Sequence, residues 1–504
     1  MGNVLVHVYA TQNKNKSQIG NTDGETPVTD AKVIGSYDVK AVYGGGNLAA
    51  YKPAGGKNTT NSTNVIIDGC GLTSIQTVYG GGNAASTPAT KVTVNGTFEI
   101  EELFGGGNGK DAIGKDTQGN DIPNPGANVG FYDYSAVEST YDTKEKRQQD
   151  DFVNYYVYGT GKASVNVFGG TIHRVFGGSN TKGNVRQTAV TLLDDVEGCT
   201  FCVDEAYGGG KSAPMDAEAK LLMSCIPGLN VAYGGAEAAD IQGNVILNIT
   251  NGKFDRVFGG NNKSGTIRGS ITVNIEETGC KPIIIGELYG GGNLAGYSIY
   301  GYKEVIEDNK KVWKPRESES DEGTGPIHNY ADPQINVKSF TSIGDIYGGG
   351  LGESALMVGS PTVNINVANG KFYNNDDAVV AEGTKTPGNY PIPSHAKGKI
   401  GAINNVFGGG NAAKVIGNTN VDIGTQSEVY VIKSVAVGDP VTDYFIRNFD
   451  GTYSAATGTA VEGTTYYEKK DVIGADIRGN VYGGGNNAEV TGNTNVQIGK
   501  KATE

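Results

Sequence analysis

Between Val245 and Ile275 the chain reads VILNIT, NGKFDRVF, GGNNKSGTIRGS, ITVNI. Apolar residues alternate with polar ones over five or six positions. The run halts at Asn-Gly, resumes into Val257 and Phe258, and halts again at two glycines. Period-two alternation bounded by turn residues predicts short strands. Helical spacing is confined to Asp216–Met223, where DAEAKLLM predicts about two helical turns.

The halt after Phe258 is one of eleven. Aromatic-Gly-Gly recurs at Tyr43, Tyr79, Phe104, Phe176, Tyr207, Tyr233, Phe258, Tyr289, Tyr347, Phe407 and Tyr482, always preceded by Val, Leu, Ile or Ala. The third position is Gly except at Ser179, Ala236 and Asn261. The fourth is Asn except at Lys211, Glu237 and Leu351. Successive aromatics lie 36, 25, 72, 31, 26, 25, 31, 58, 60 and 75 residues apart, so the basic unit is near 25 residues and the longer gaps carry inserts. A strand such as Val245–Thr250, a second such as Phe254–Phe258 and a weaker third such as Thr266–Arg268 fit one coil of a parallel β-helix. A propeller blade needs four strands and roughly 40–50 residues. The expected fold is all-β, a right-handed parallel β-helix of about eleven coils, the hand following the usual parallel crossover. The eleven aromatics then stack as an internal ladder about 4.8 Å apart. The glycine pair turns the corner at positive φ, and the asparagines bond to one another along the stack. Tyr and Phe interchange along it, so the ladder needs no hydroxyl.

Four inserts break the period, at residues 110–161, 296–333, 373–399 and 425–471, within one solenoid spanning 1–504. The second holds the single tryptophan, Trp313, a candidate ligand contact. The fourth has alternating aromatics (VTDYFIRNFDGTYSA, TTYYEKK) and predicts a small antiparallel appendage. Insertions in solenoids leave the stack as loops, often on the binding face.

Composition narrows the function classes. Gly is 79 of 504 residues, roughly twice its usual share, but β-branched runs separate the glycines, which excludes disorder. The net charge of −13 argues against nucleic acid. No run of 18 apolar residues is present, so no membrane span is expected. The first residues lack a basic n-region, and both termini copy internal repeat sequence. The chain therefore reads as a segment of a longer secreted protein.

Candidate chemistry is sparse. His7, His173, His328 and His395 are isolated, with no metal-ligand spacing and no nucleophile–histidine signature. The Gly-rich stretch at Gly105–Asp111 lacks the GK[ST] of a phosphate loop. A polygalacturonase-like acid set lacks its His and basic segments. No catalytic residue, cofactor or metal is assigned. Cys70, Cys199, Cys225 and Cys280 lie eight or nine residues before a motif aromatic, at one equivalent position. That placement predicts an inward small-residue ladder, with Cys199 and Cys225 in adjacent coils, either bridged or as free thiols. Cys199 and Cys202 form a lone C-x-x-C, weak evidence for metal or redox chemistry.

The VYGGGN and VFGGGN coils, closed by GNTNVDIG and GNTNVQIG, resemble the repetitive β-solenoid surface proteins of bacteria, described as adhesin-like; autotransporter passengers share the architecture. The resemblance implies a non-enzymatic, extracellular, cell-surface stalk that shows loops to a glycan or surface protein. A β-helix polysaccharide lyase or glycoside hydrolase, and a phage tail-spike-like shaft, are the alternatives.

Overall fold

The computed structural model describes residues 3–12, 37–56, 59–109, 112–123, 126–132, 156–278, 280–307, 310–318, 320, 332–368, 372–373, 379–380, 401–447, 452–461 and 464–500. Two twelve-stranded parallel sheets run the length of the chain. One is built from strands such as Val245–Ile249 and Ile271–Glu276. The other is built from the motif-bearing strands, such as Gly252–Phe258 and Ile283–Tyr289. Each strand pairs with its equivalents in the preceding and following coils, in register: Val245 faces Ile271, Leu247 faces Val273, Ile249 faces Ile275. The chain is a parallel β-helix.

The third side is thinner than the sequence suggests. It consists of single bridges such as Ile241 to Ile267 and of two-residue strands at Tyr297–Ser298, Met357–Val358 and Val415–Ile416. Val129, inside the stretch 110–161, belongs to this side, bridging Thr87 and Val185.

Alternation decides which residues enter the core. Leu221 and Met223 are fully buried among the aliphatics between the two sheets, as are Leu247, Ile249, Val273 and Ile275. The helix expected at Asp216–Met223 is therefore absent: Ala219–Ser224 is a strand between Gln187–Leu193 and Val245–Ile249. Its alternate residues Ala219, Leu221 and Met223 fill the slots that its neighbours leave, and this burial overrides the local helical preference of Ala, Lys and Leu.

The motif strand carries two buried columns. In Gly252–Phe258, Asp255 and Arg256 both face solvent, then Val257 and Phe258 are both buried. Val257 joins the aliphatic core, whereas Phe258 joins a separate cluster made of the aromatics. The rings form one unbroken stack from Tyr43 to Tyr482, with centroids 4.7–5.1 Å apart. That spacing is the strand separation itself. The stack is not inside the aliphatic core as expected from sequence. It lies on the other face of its sheet, beside Arg174, whose guanidinium sits 5.0 Å from the Phe176 centroid. The turn that follows covers it.

The motif glycines do a different job from the one their sequence suggests. Neither of the first two glycines of any copy has a positive φ; that conformation occurs at the opposite corner, for example at Gly170, Gly228 and Gly252. What the motif needs is close approach. A Cβ on Gly44 would lie 2.2 Å from the Gly80 carbonyl oxygen, and one on Gly259 would lie 2.6 Å from that of Gly290. The backbone ladder continues through the turn, with Gly259 N–H donating to Tyr289 and Gly260 N–H to Gly291. Only a residue without a side chain allows this contact in every coil.

Candidate functional site

The fourth asparagine of the motif roofs the aromatic stack. Asn83 donates to Asn47, Asn108 to Asn83 and Asn180 to Asn108, at 2.7–2.9 Å. The same asparagines meet tyrosine hydroxyls two coils back, as Asn180 does with Tyr79 and Asn262 with Tyr207. Burial pushes the Tyr79 and Tyr233 hydroxyls up to about 12.

The asparagine ladder fails at Lys211 and Glu237, and a charged network takes its place. Arg174 pairs with Glu102 at 2.8 Å and with Glu237; Lys211 pairs with Glu102 at 2.7 Å and Lys263 with Glu237 at 2.6 Å. Glu237 is only 4% exposed. Its partners offset the desolvation of a buried carboxylate. Nearby, His173 sits between two carboxylates, with Nε2 2.5 Å from Glu99 and Nδ1 2.6 Å from Asp204. His7 bonds to Asp68. His328 and His395 lie outside the described residues. Among the described residues, no group of three or more His, Cys, Asp or Glu is placed to hold a metal ion, and no helix is long and apolar enough to cross a membrane.

The cysteines are not an inward ladder. Cys70 is bonded to Cys199 and Cys225 to Cys280, while Cys202 is free and exposed. Cys199 and Cys225, expected to be the neighbouring pair, are in different bridges. Each bridge vaults over coils whose corners are short. Cys70–Cys199 passes the coils of Gly96 and Gly169; a Cβ on Gly96 would lie 2.8 Å from the Cys199 sulfur. Cys225–Cys280 passes the coil of Asn251, whose side chain accepts from Cys225 N–H at 3.2 Å and donates to the Lys281 carbonyl at 2.7 Å. Longer corner loops lean over shorter ones, so equivalent sequence positions do not become adjacent positions.

The second insert holds a hairpin, Tyr302–Glu307 with Lys310–Pro315, in which Trp313 pairs across from Glu304. The Trp313 side chain lies outside what the structure describes. Of the third insert only 373 and 379–380 are described. The fourth is a unit of its own, a four-stranded antiparallel sheet from Glu428–Lys433, Tyr466–Asp471, Phe445–Arg447 and Tyr453–Ala455. It has a private apolar cluster of Val441, Ala456, Ala460 and Tyr466.

This appendage folds back against the first sheet. Glu276 accepts the Ile432 N–H, and Lys338 pairs with Glu276 at 3.3 Å and donates to the Tyr430 carbonyl at 2.5 Å. Burial raises the Glu276 carboxyl above its ordinary range, against the pull of Lys338. Where appendage and sheet meet, a small groove with an enclosed volume of about 30 Å³ is lined by Asn248, Asn274, Glu276, Lys338, Arg447, Tyr453 and Tyr467, among others. Tyr467 stands edge-on to Tyr453 with centroids 5.0 Å apart, and burial pushes its hydroxyl up to about 12. Sequence reading reached the tyrosines through TTYYEKK but gave no signal for Arg447 or Asn248, which are about 200 residues apart in the chain.

Comparisons with protein-family models, with curated proteins and with solved structures matched nothing to this chain.

Proposed function

We propose that this chain is a non-enzymatic segment of a bacterial cell-surface stalk, adhesin-like in role, which presents its fourth insert, docked on the rod, to a glycan or a surface protein. The observation that carries this reading is the appendage 425–471. It has its own sheet and apolar cluster, is tied to the rod by Glu276 and Lys338, and leaves tyrosines and a guanidinium beside an open groove. The coils, by contrast, are accounted for by packing. Two disulfides support an extracellular setting, since such bonds persist in oxidising compartments.

The test pairs a glycan-array screen with an assay for released reducing ends. The full chain is expected to bind and to release none. A chain with 425–471 replaced by a short turn is expected to lose binding. Equal binding by a rod without its inserts would end the reading. Released reducing ends would favour the β-helix lyase or hydrolase, for which the His173 region, with Glu99, Asp204 and Arg174, is the place to mutate.

A further inference from the structure

The appendage meets the rod in two unlike places. At its root the chain leaves the coil at Gly424 and returns at Gly474, both with positive φ, +63° and +105°. The two glycines are neighbours. A Cβ on Gly424 would meet nothing nearer than the Gly474 Cα at 3.7 Å, and one on Gly474 would meet nothing within 4 Å. Close approach, which explains the motif glycines, does not explain these. They stand in open space at the two connections, where a residue that takes either sign of φ lets the chain change direction. Beside them, Gln426 N–H donates to Asn366 Oδ1 at 3.0 Å and Ile473 N–H to the Val367 carbonyl at 2.7 Å, which fixes the position of the root on the rod.

Away from the root the contact is polar and narrow. Strand Glu428–Lys433 pairs with Tyr466–Asp471 along one edge. Its other edge faces the rod, and two side chains meet it there. Glu276 accepts the Ile432 N–H, Lys338 donates to the Tyr430 carbonyl, and the two pair with each other. Their side chains are only 5% and 15% exposed. The desolvation of such a pair offsets most of its attraction, and the raised Glu276 carboxyl records that imbalance, since burial outweighs the pull of Lys338. Beside the pair the fit is loose. The space of about 30 Å³ has room for a water, and Arg447 on its rim makes no hydrogen bond or ion pair among the described residues. The appendage's apolar cluster is separate from the aliphatic core of the rod. Undocking therefore returns two charges and two backbone groups to water without opening either core, and it costs less than unfolding either sheet.

We propose that the appendage undocks from the rod as a folded unit, pivoting at Gly424 and Gly474, with Glu276 and Lys338 as its latch. This goes beyond the function proposed above and is independent of what the insert binds. Undocking uncovers Asn248 and Asn274 on the first sheet and frees an edge of Glu428–Lys433 for strand addition, so a partner that takes either surface selects the open form.

The experiment is double electron–electron resonance on the full chain, in a Cys202→Ser background that leaves both disulfides in place. Spin labels are attached at Val437→Cys on the appendage and Lys220→Cys on the rod, both exposed positions. The parent is expected to give two distances, docked and undocked. Glu276→Ala together with Lys338→Ala, which leaves no orphaned charge, should raise the ratio of undocked to docked by about tenfold or more. Amide exchange at Val431, paired with Glu468 inside the appendage, reports whether the unit stays folded and should be unchanged in the latch variant. A single distance in the parent that the latch variant does not alter overturns the proposal. Loss of Val431 protection in step with the longer distance overturns it too, because the appendage then melts off the rod and does not swing from it.

Discussion

Phe258 and Tyr467 are both aromatic residues on β-strands, and they are held in different ways. Phe258 lies between two parallel rings, Tyr233 and Tyr289, at 5.1 and 4.8 Å, in a stack that every coil extends by one rung. Tyr467 meets Tyr453 edge-on in a single antiparallel sheet and faces a groove on its other side. In the rod, one packing problem is solved repeatedly, and each residue is fixed by its copies above and below. In the appendage nothing repeats, so its side chains are free to differ and some are left without partners. The lesson is that repetition consumes chemistry: a residue whose every neighbour is its own equivalent has no contact left to give a ligand.

The contrast can be broken most severely at a motif glycine. Gly259→Val would set a side chain 2.6 Å from a backbone carbonyl and 2.7 Å from Ile271, neither of which can move without shifting a coil. A loss of about 3 kcal/mol or more is expected, at the upper end of overpacking effects; an unchanged melting temperature would show that close approach is not what the glycine serves. Phe258→Ala removes a fully buried rung and should cost roughly 3–5 kcal/mol, measured by denaturant unfolding. Replacing Cys225 and Cys280 together by Ser should cost roughly 2–4 kcal/mol. Non-reducing peptide mapping should recover Cys70 with Cys199 and Cys225 with Cys280, and only Cys202 should label in the native protein. A recovered Cys199–Cys225 peptide would refute the vaulting corners. Asn262→Ala loses the bond to the buried Tyr207 hydroxyl and one asparagine rung, for about 1 kcal/mol. The smallest effect belongs to the other region. Replacing 425–471 by a short turn should move the rod's melting temperature by about 3 °C or less, because solenoid stability is close to a sum over neighbouring coils. A chain that then fails to fold would make the appendage part of the rod.

Much of the rod was legible. The 25-residue period, the Val-aromatic-Gly-Gly core and the alternation of VILNI and ITVNI define strands, coils and register, because stacked equivalents must present equivalent side chains. Asp216–Met223 misleads because eight residues of mixed apolar and charged type satisfy a helix as well as a half-buried strand, and only the slots beside Leu192 and Leu247 choose between them. The Gly-Gly pair was legible as a necessity but not as a mechanism, since positive φ and close approach both exclude a Cβ.

The sequence by itself determined that coils stack and which residues stack on which, since that is a property of the period. Tertiary structure alone decided on which face of the sheet the aromatics lie, which cysteines meet, and where the appendage comes to rest. These depend on how far corner loops of unequal length lean across their neighbours, and on where Glu276 and Lys338 catch a segment about 90 to 160 residues further along the chain. Spacing along a chain records neither distance.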